Sequence, residues 1–273
     1  MAVNDPARAL RWLEQVSYYR LSAYFLPFKQ GDQFSPGTEF NDVAGLYIFD
    51  RKLRLLVLDA IERVEVAVRT AVTYQISHAH GPFGHVDPAN FESHFDHPRL
   101  MQDIHTEASR AGETFVTHFR AKYTSEPHLP VWMATELLSF GMVSRMYKHL
   151  APALKKPIAV PYGVPDWMFA GWIHALSYVR NVCAHHKRLW NRELGIRPTL
   201  PTRTRAPALA WAAGVPNNGR VYCILAILRH MLLVVSPQCH WKERLFALLD
   251  SHPSVPQASM GFPPDWKQQP LWR

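Results

Sequence analysis

Apolar residues along this chain recur mainly at intervals of three and four. The longest such stripe is Leu46, Phe49, Leu53, Leu56, Val57, Ala60, Ile61, Val64 and Val68. It predicts a helix from Val43 to about His78, capped by Asn41 or Asp42, with no period-two alternation to argue for a strand. Leu10, Leu13, Val16, Tyr19 and Leu21 predict a helix over residues 6–30, ended by Pro27, and Gly31 to Thr38 reads as a loop. Further helices are predicted over 98–122, over Val131–Tyr147 after Pro127 and Pro130, from about Pro165 into the 180s, and over 217–235 and 238–250. No repeat and no linker divides the 273 residues. The pattern predicts a single all-α domain over residues 1–273. Its tail, 251–273, holds five prolines together with Trp266 and Trp272, which points to docking on the body.

Composition adds an ionic bias. Lys+Arg 30 against Asp+Glu 22 gives a net charge of +8 and a pI near 9.5, which favours an anionic partner, nucleic acid before membrane surface. No window approaches the ~20 apolar residues of a bilayer span. The run Ile224–Val235 is interrupted by Arg229 and His230. The N-terminus lacks the charged-then-apolar order of a signal peptide. Cys183, Cys223 and Cys239 are odd in number and unpaired in spacing, which fits a reduced, cytoplasmic setting. His78, His80, His85, His94 and His97 crowd a Gly/Pro-punctuated loop, but no His-Glu-x-x-His or cysteine-assisted pattern accompanies them, so neither metal nor cofactor is expected.

Chemistry concentrates where the apolar segment Trp167–Val179 gives way to Arg180-Asn181-Val-Cys-Ala-His185-His186. Arginine offers a permanent planar fork of donors for phosphate oxygens, and histidine gives and takes protons near neutral pH. At about 100° per residue, Arg180 and His185 lie about 140° apart and His186 is offset similarly on the other side, so spacing alone does not choose between the histidines. Asn181 and His185 are four apart and share a face, so the amide is placed to orient the imidazole. By itself the set also suits a polar helix end, where cations favour the C-terminal dipole. From Arg180 to Arg205, seven basic residues (Arg180, Lys187, Arg188, Arg192, Arg197, Arg203 and Arg205) face the single acid Glu193. Trp190, within that run, reads as a buried anchor before a stacking platform. On the long helix, Glu65 and Arg69 form an i,i+4 pair placed to reach the motif if the two helices pack. Glu136 stands alone in an apolar surround, with Arg180 its candidate partner.

Several segments together resemble the bacterial Abi-like family of abortive-infection proteins (AbiD/AbiF type). They are Ser17-Tyr-Tyr-Arg-Leu-Ser-Ala-Tyr-Phe25, Phe49-Asp-Arg-Lys-Leu-Arg54, Ile61-Glu-Arg-Val-Glu-Val-Ala-Val-Arg69, Pro130-Val-Trp-Met with Glu136-Leu-Leu-Ser-Phe-Gly141, Arg180–Asn191 and Met260–Trp266. The family carries more sequence before the tyrosine pair, so this chain begins short by comparison. The resemblance extends to the HEPN superfamily and implies a helical bundle with additional helices. In that superfamily an Arg-x4-6-His motif forms a metal-independent ribonuclease site shared across a homodimer. On that match Arg180 and His185 are the catalytic pair, Asn181 the polar residue after the arginine and His186 a second histidine; Glu65, Arg69 and Glu136, singled out above from the residues alone, are candidates for supporting them. Lys187, Arg188 and Arg192 are then RNA-binding candidates. The implied products are a 2′,3′-cyclic phosphate and a 5′-OH, within a phage-defence or toxin system that an antitoxin or a non-coding RNA would regulate. Two alternatives stand beside this: a non-catalytic RNA- or partner-binding HEPN protein, and a nucleotide-transferring toxin. The intact Arg180, Asn181 and His185 argue against the first, and the lack of a Gly-rich phosphate loop against the second.

Overall fold

The computed structural model describes residues 1–201 and 207–273. It is all-α. Among the described residues are eleven α-helices and one two-stranded hairpin, Lys29–Gln30 against Gln33–Phe34, antiparallel with Lys29 opposite Phe34.

The long stripe folds into α3, Phe40–His80, about 60 Å at 1.5 Å per residue. Its start differs from the predicted cap: Glu39 is the N-cap, and the Asp42 carboxylate accepts from the Glu39 N–H at 2.8 Å in a reciprocal capping box. It ends at Gly81, whose φ of 75° a side chain would resist. Val43, Phe49, Leu53, Val57, Ala60, Ile61, Val64, Val68, Val72 and Ile76 are all buried along one face. The helices Tyr18–Phe25, Val131–Leu137, Pro152–Ala159, Asp166–Ala184, Val221–Val235 and Trp241–Asp250 pack on this axis.

Three predicted helices are interrupted. The 6–30 helix is α1 (Pro6–Val16) and α2 (Tyr18–Phe25), separated at Ser17 with φ 68°. There the Ser17 N–H closes α1 on the Leu13 carbonyl, and its Oγ accepts from the Arg20 N–H to open α2. The 98–122 helix is α4 (His97–Arg110) and α5 (Thr114–Lys122), parted at Gly112 with φ 58°. The 131–147 helix is α6 (Val131–Leu137) and α7 (Phe140–His149), with the Ser139 Oγ capping the second by accepting from the Met142 N–H. A further helix, α8 (Pro152–Ala159), follows.

Helix α9, Asp166–Ala184, starts directly after Pro165 and packs on α7 and α3, burying Phe169, Trp172, Ile173, Leu176, Val179 and Val182. Helix α10, Val221–Val235, is buried from Val221 through Leu232, and α11 spans Trp241–Asp250. In α10 the buried His230 is held by the Tyr162 carbonyl at 2.8 Å, and the Arg229 Nε donates to the Leu271 carbonyl. Met260, Phe262, Trp266, Leu271 and Trp272 are buried in the same core, and the Trp272 indole donates to the Tyr222 hydroxyl at 3.1 Å. Among the described residues no helix is long and apolar enough to cross a membrane.

Candidate active site

Where α9 ends, its buried face stops and its polar residues reach the surface. Val182 and Cys183 are buried, Arg180 is half-buried, and Asn181, His185, His186 and Lys187 are exposed. The helix closes with paired terminal bonds: the His186 N–H donates to the Cys183 carbonyl at 2.9 Å and the Lys187 N–H to the Val182 carbonyl at 3.0 Å. This Schellman-type turn places His186 at φ 54°, a position glycine usually fills. A left-handed residue with a Cβ costs about 1–2 kcal/mol, so neighbouring contacts must hold it. They do: the Arg20 Nη1 donates to the His186 carbonyl at 2.8 Å, and the Arg188 Nη1 donates to the Ala23 carbonyl at 2.6 Å. Helix α2 therefore grips the turn from outside α9.

The chain beyond the turn is pinned by Asp50 of α3, which is fully buried. Its carboxylate accepts from the Trp190 N–H at 2.7 Å, the Leu189 N–H at 3.1 Å and the Tyr24 hydroxyl at 2.6 Å, and pairs with Arg54. Burial pushes the Asp50 carboxyl above its ordinary range, against the pull of Arg54, Tyr24 and the two amides. Burial and Asp50 together raise the Tyr24 hydroxyl. Arg54 is buried as well. Asp50 and Arg54 escape sequence reasoning as single residues. The available signal is that both fall among the stripe positions 46, 49, 53 and 57, where a charge has to be paired.

Glu65 lies beside the motif arginine. Its Oε2 is 3.9 Å from the Arg180 Nε, its Oε1 is 2.6 Å from an Arg69 nitrogen, and Arg69 also donates to the Thr135 carbonyl. Among the described residues the terminal nitrogens of Arg180 make no hydrogen bond, which leaves that end of the fork for another acceptor. Glu136 does not join this group. It is exposed at the last turn of α6, as is Trp132 one turn before it, and Arg180 meets Glu65 instead. Asn181 and His185 share a face, but among the described residues no side-chain hydrogen bond joins them; the Asn181 backbone carbonyl accepts from the His185 N–H at 3.0 Å.

Of the basic candidates, Lys187 is exposed, whereas Arg188 and Arg192 are half-buried and donate to the Ala23 and Arg188 carbonyls. Arg197 pairs with Glu193, and Arg203 and Arg205 lie outside the described residues. Trp190 is buried, an anchor and not a stacking surface.

With this geometry comes a family match. The family described as Abi-like protein matches residues 11–191, about two thirds of the chain. The chain belongs to the Abi-like family. Membership associates it with abortive infection and phage resistance. The matched span takes in α2, the Asp50–Arg54 and Glu65–Arg69 pairs and the whole turn to Asn191. It stops before α10, α11 and the tail, so Met260–Trp266 lies outside it. No curated protein and no solved structure matches this Abi-like chain.

Other features lie elsewhere. A 360 Å³ cavity is lined by Tyr162, Trp211, His230 and Leu271, among other residues, and by none from Arg180 to His186. Cys183 and Cys223 are buried, and burial pushes both thiols up to about 12, far from reactive thiolate chemistry. Of the loop histidines, His85 and His97 are buried, while His94 comes together with Glu92 and His149.

Proposed function

We propose that this chain is a HEPN-type, metal-independent endoribonuclease of a phage-defence system. The observation that carries the reading is the end of α9: a helix buried along most of its length delivers Arg180, Asn181 and His185 to open surface together, with Glu65 positioning the arginine from below. A merely solubilising helix end would not require a buried carboxylate anchor and a left-handed histidine to set its course.

His185 acts as general base on a ribose 2′-OH, or as general acid on the departing 5′-oxygen. Arg180 stabilises the charge that builds on the phosphorus oxygens, its terminal nitrogens toward the substrate and its Nε toward Glu65. One imidazole cannot occupy both sides of an in-line displacement, so a second copy of the chain supplies the partner histidine in a homodimer. The openness of the site and the exposed rings of Tyr18 and Tyr19, on the helix whose Arg20 holds His186, suit such a partner. Lys187 adds charge for the RNA backbone. The setting is cytoplasmic, and regulation falls to an antitoxin or RNA that covers this surface.

The test is cleavage of total cellular RNA in EDTA by wild type and His185→Ala. Wild type should leave 2′,3′-cyclic phosphate and 5′-OH ends and spare DNA, which lacks the 2′-OH. The variant should fall by about 10²–10⁴-fold at unchanged stability. Equal cleavage by both proteins would remove His185 from the mechanism, and binding without cleavage by either would favour the RNA-binding alternative.

A further inference from the structure

Three ligand-type side chains meet at the opposite end of α9 from the motif, near Asp166 and about 21 Å along the helix from Arg180 at 1.5 Å per residue. Glu92 and His94 come from the segment between α3 and α4, and His149 is the last residue of α7. Their ligand atoms all lie within 4.8 Å of one another. The Glu92 Oε2 stands 3.3 Å from the His149 Nδ1 and 3.4 Å from the His94 Nε2.

Those separations are long for charge-assisted hydrogen bonds, which run at about 2.7–2.9 Å. They equal the edge of a metal tetrahedron: with zinc–nitrogen and zinc–oxygen bonds of about 2.0–2.1 Å, neighbouring ligand atoms stand about 3.3–3.4 Å apart. We propose that Glu92, His94 and His149 form a binding site for a divalent transition metal of the zinc class, with the remaining position facing solvent.

The surroundings fit that role. The two segments are already clasped, because the Glu92 N–H donates to the His149 carbonyl at 2.8 Å and Phe91 bridges Leu150. Phe95 stacks on the His149 ring at 4.8 Å and 13°, which fixes the imidazole plane. The Lys155 Nζ holds the other Glu92 oxygen at 2.5 Å, and Asp166, 3.8 Å from the same ammonium, offsets its charge. The metal would clip the 91–96 segment to the end of α7, a structural function separate from cleavage at Arg180.

The experiment is calorimetric titration of chelator-stripped protein with Zn(II), with Co(II) absorption reporting geometry. Wild type should bind a single equivalent, show tetrahedral Co(II) bands and gain thermal stability. His94→Ala should leave the fold intact, since that side chain is 71% exposed. It should weaken binding by at least the ~10–100-fold that loss of an outer-shell partner costs. Glu92→Gln should do the same, and His118→Ala, an exposed histidine on α5, should change nothing. Titrations of His94→Ala and Glu92→Gln indistinguishable from wild type, or no binding by wild type, would overturn the site.

Discussion

Of the three acid–arginine pairs that helix α3 carries at i,i+4 spacing, Asp50 with Arg54 and Glu65 with Arg69 have opposite fates. Asp50 is fully buried, and its two oxygens share four donors, two of them backbone amides from the far side of the chain. Glu65 retains 14% exposure and turns its second oxygen toward Arg180 at the long distance of 3.9 Å. The first pair is saturated and fixes where the chain runs after the motif. The second is undersaturated and borders the surface where the motif emerges. An i,i+4 ion pair therefore carries no role in its spacing; what decides is how many donors surround the carboxylate and whether water reaches it.

The sharpest way to break this contrast is Asp50→Ala. It strands the Arg54 charge and two buried amides, and urea unfolding should show a loss of about 3–5 kcal/mol. A loss under about 1 kcal/mol would deny Asp50 its anchoring role. At the surface pair the effect should appear in activity instead. Arg180→Ala should cut RNA cleavage by about 10²–10³-fold with the unfolding midpoint unchanged, and Arg180→Lys should not restore it, because a point charge cannot replace the fork.

His85 extends the contrast to histidines. It is 1% exposed, neither ring nitrogen has a partner among the described residues, and burial lowers its pKa to about 4. Between about pH 6.5 and 4 the unfolded chain holds a proton that the native state refuses, so stability falls as pH drops through that window, by up to about 3 kcal/mol. His85→Leu should flatten that part of the stability–pH curve, and a curve of unchanged slope would reject the assignment. The smallest effect belongs to Glu65→Gln, about 1–2 kcal/mol of stability for a pair that is mostly but not fully buried, with cleavage reduced less than in Arg180→Ala. A loss of 3 kcal/mol or more would make Glu65 a second anchor and erase the distinction.

The helices were legible because burial on one face imposes a three-to-four rhythm that survives in the residues themselves. Their breaks were not, since Ser17, Gly112 and Ser139 interrupt the backbone without interrupting the apolar pattern. The motif was legible as chemistry, while its support was only partly so. Glu65 and Arg69 could be placed near Arg180 on the condition that α3 and α9 pack, which they do. Glu136 looked isolated among apolar neighbours, yet a seven-residue helix exposes one side, and Glu136 shares that side with Trp132. Nothing local marks Glu92 and His149 as neighbours, because they stand 57 positions apart and contacts such as the Phe91–Leu150 bridge, formed only in the fold, bring them together.

The grip of α2 on the turn after α9 has a consequence for timing. Arg20 reaches His186 across 166 positions of sequence, and Asp50 reaches Trp190 across 140. On a ribosome, α2 and the start of α3 emerge long before the turn they hold, and contacts this distant in sequence form late because the intervening chain must first close. Until residue 190 has cleared the exit tunnel, nothing holds His186 in its left-handed turn or sets the course of the chain beyond it. A protein whose proposed target is RNA would thus be synthesised amid ribosomal RNA with its working end unassembled.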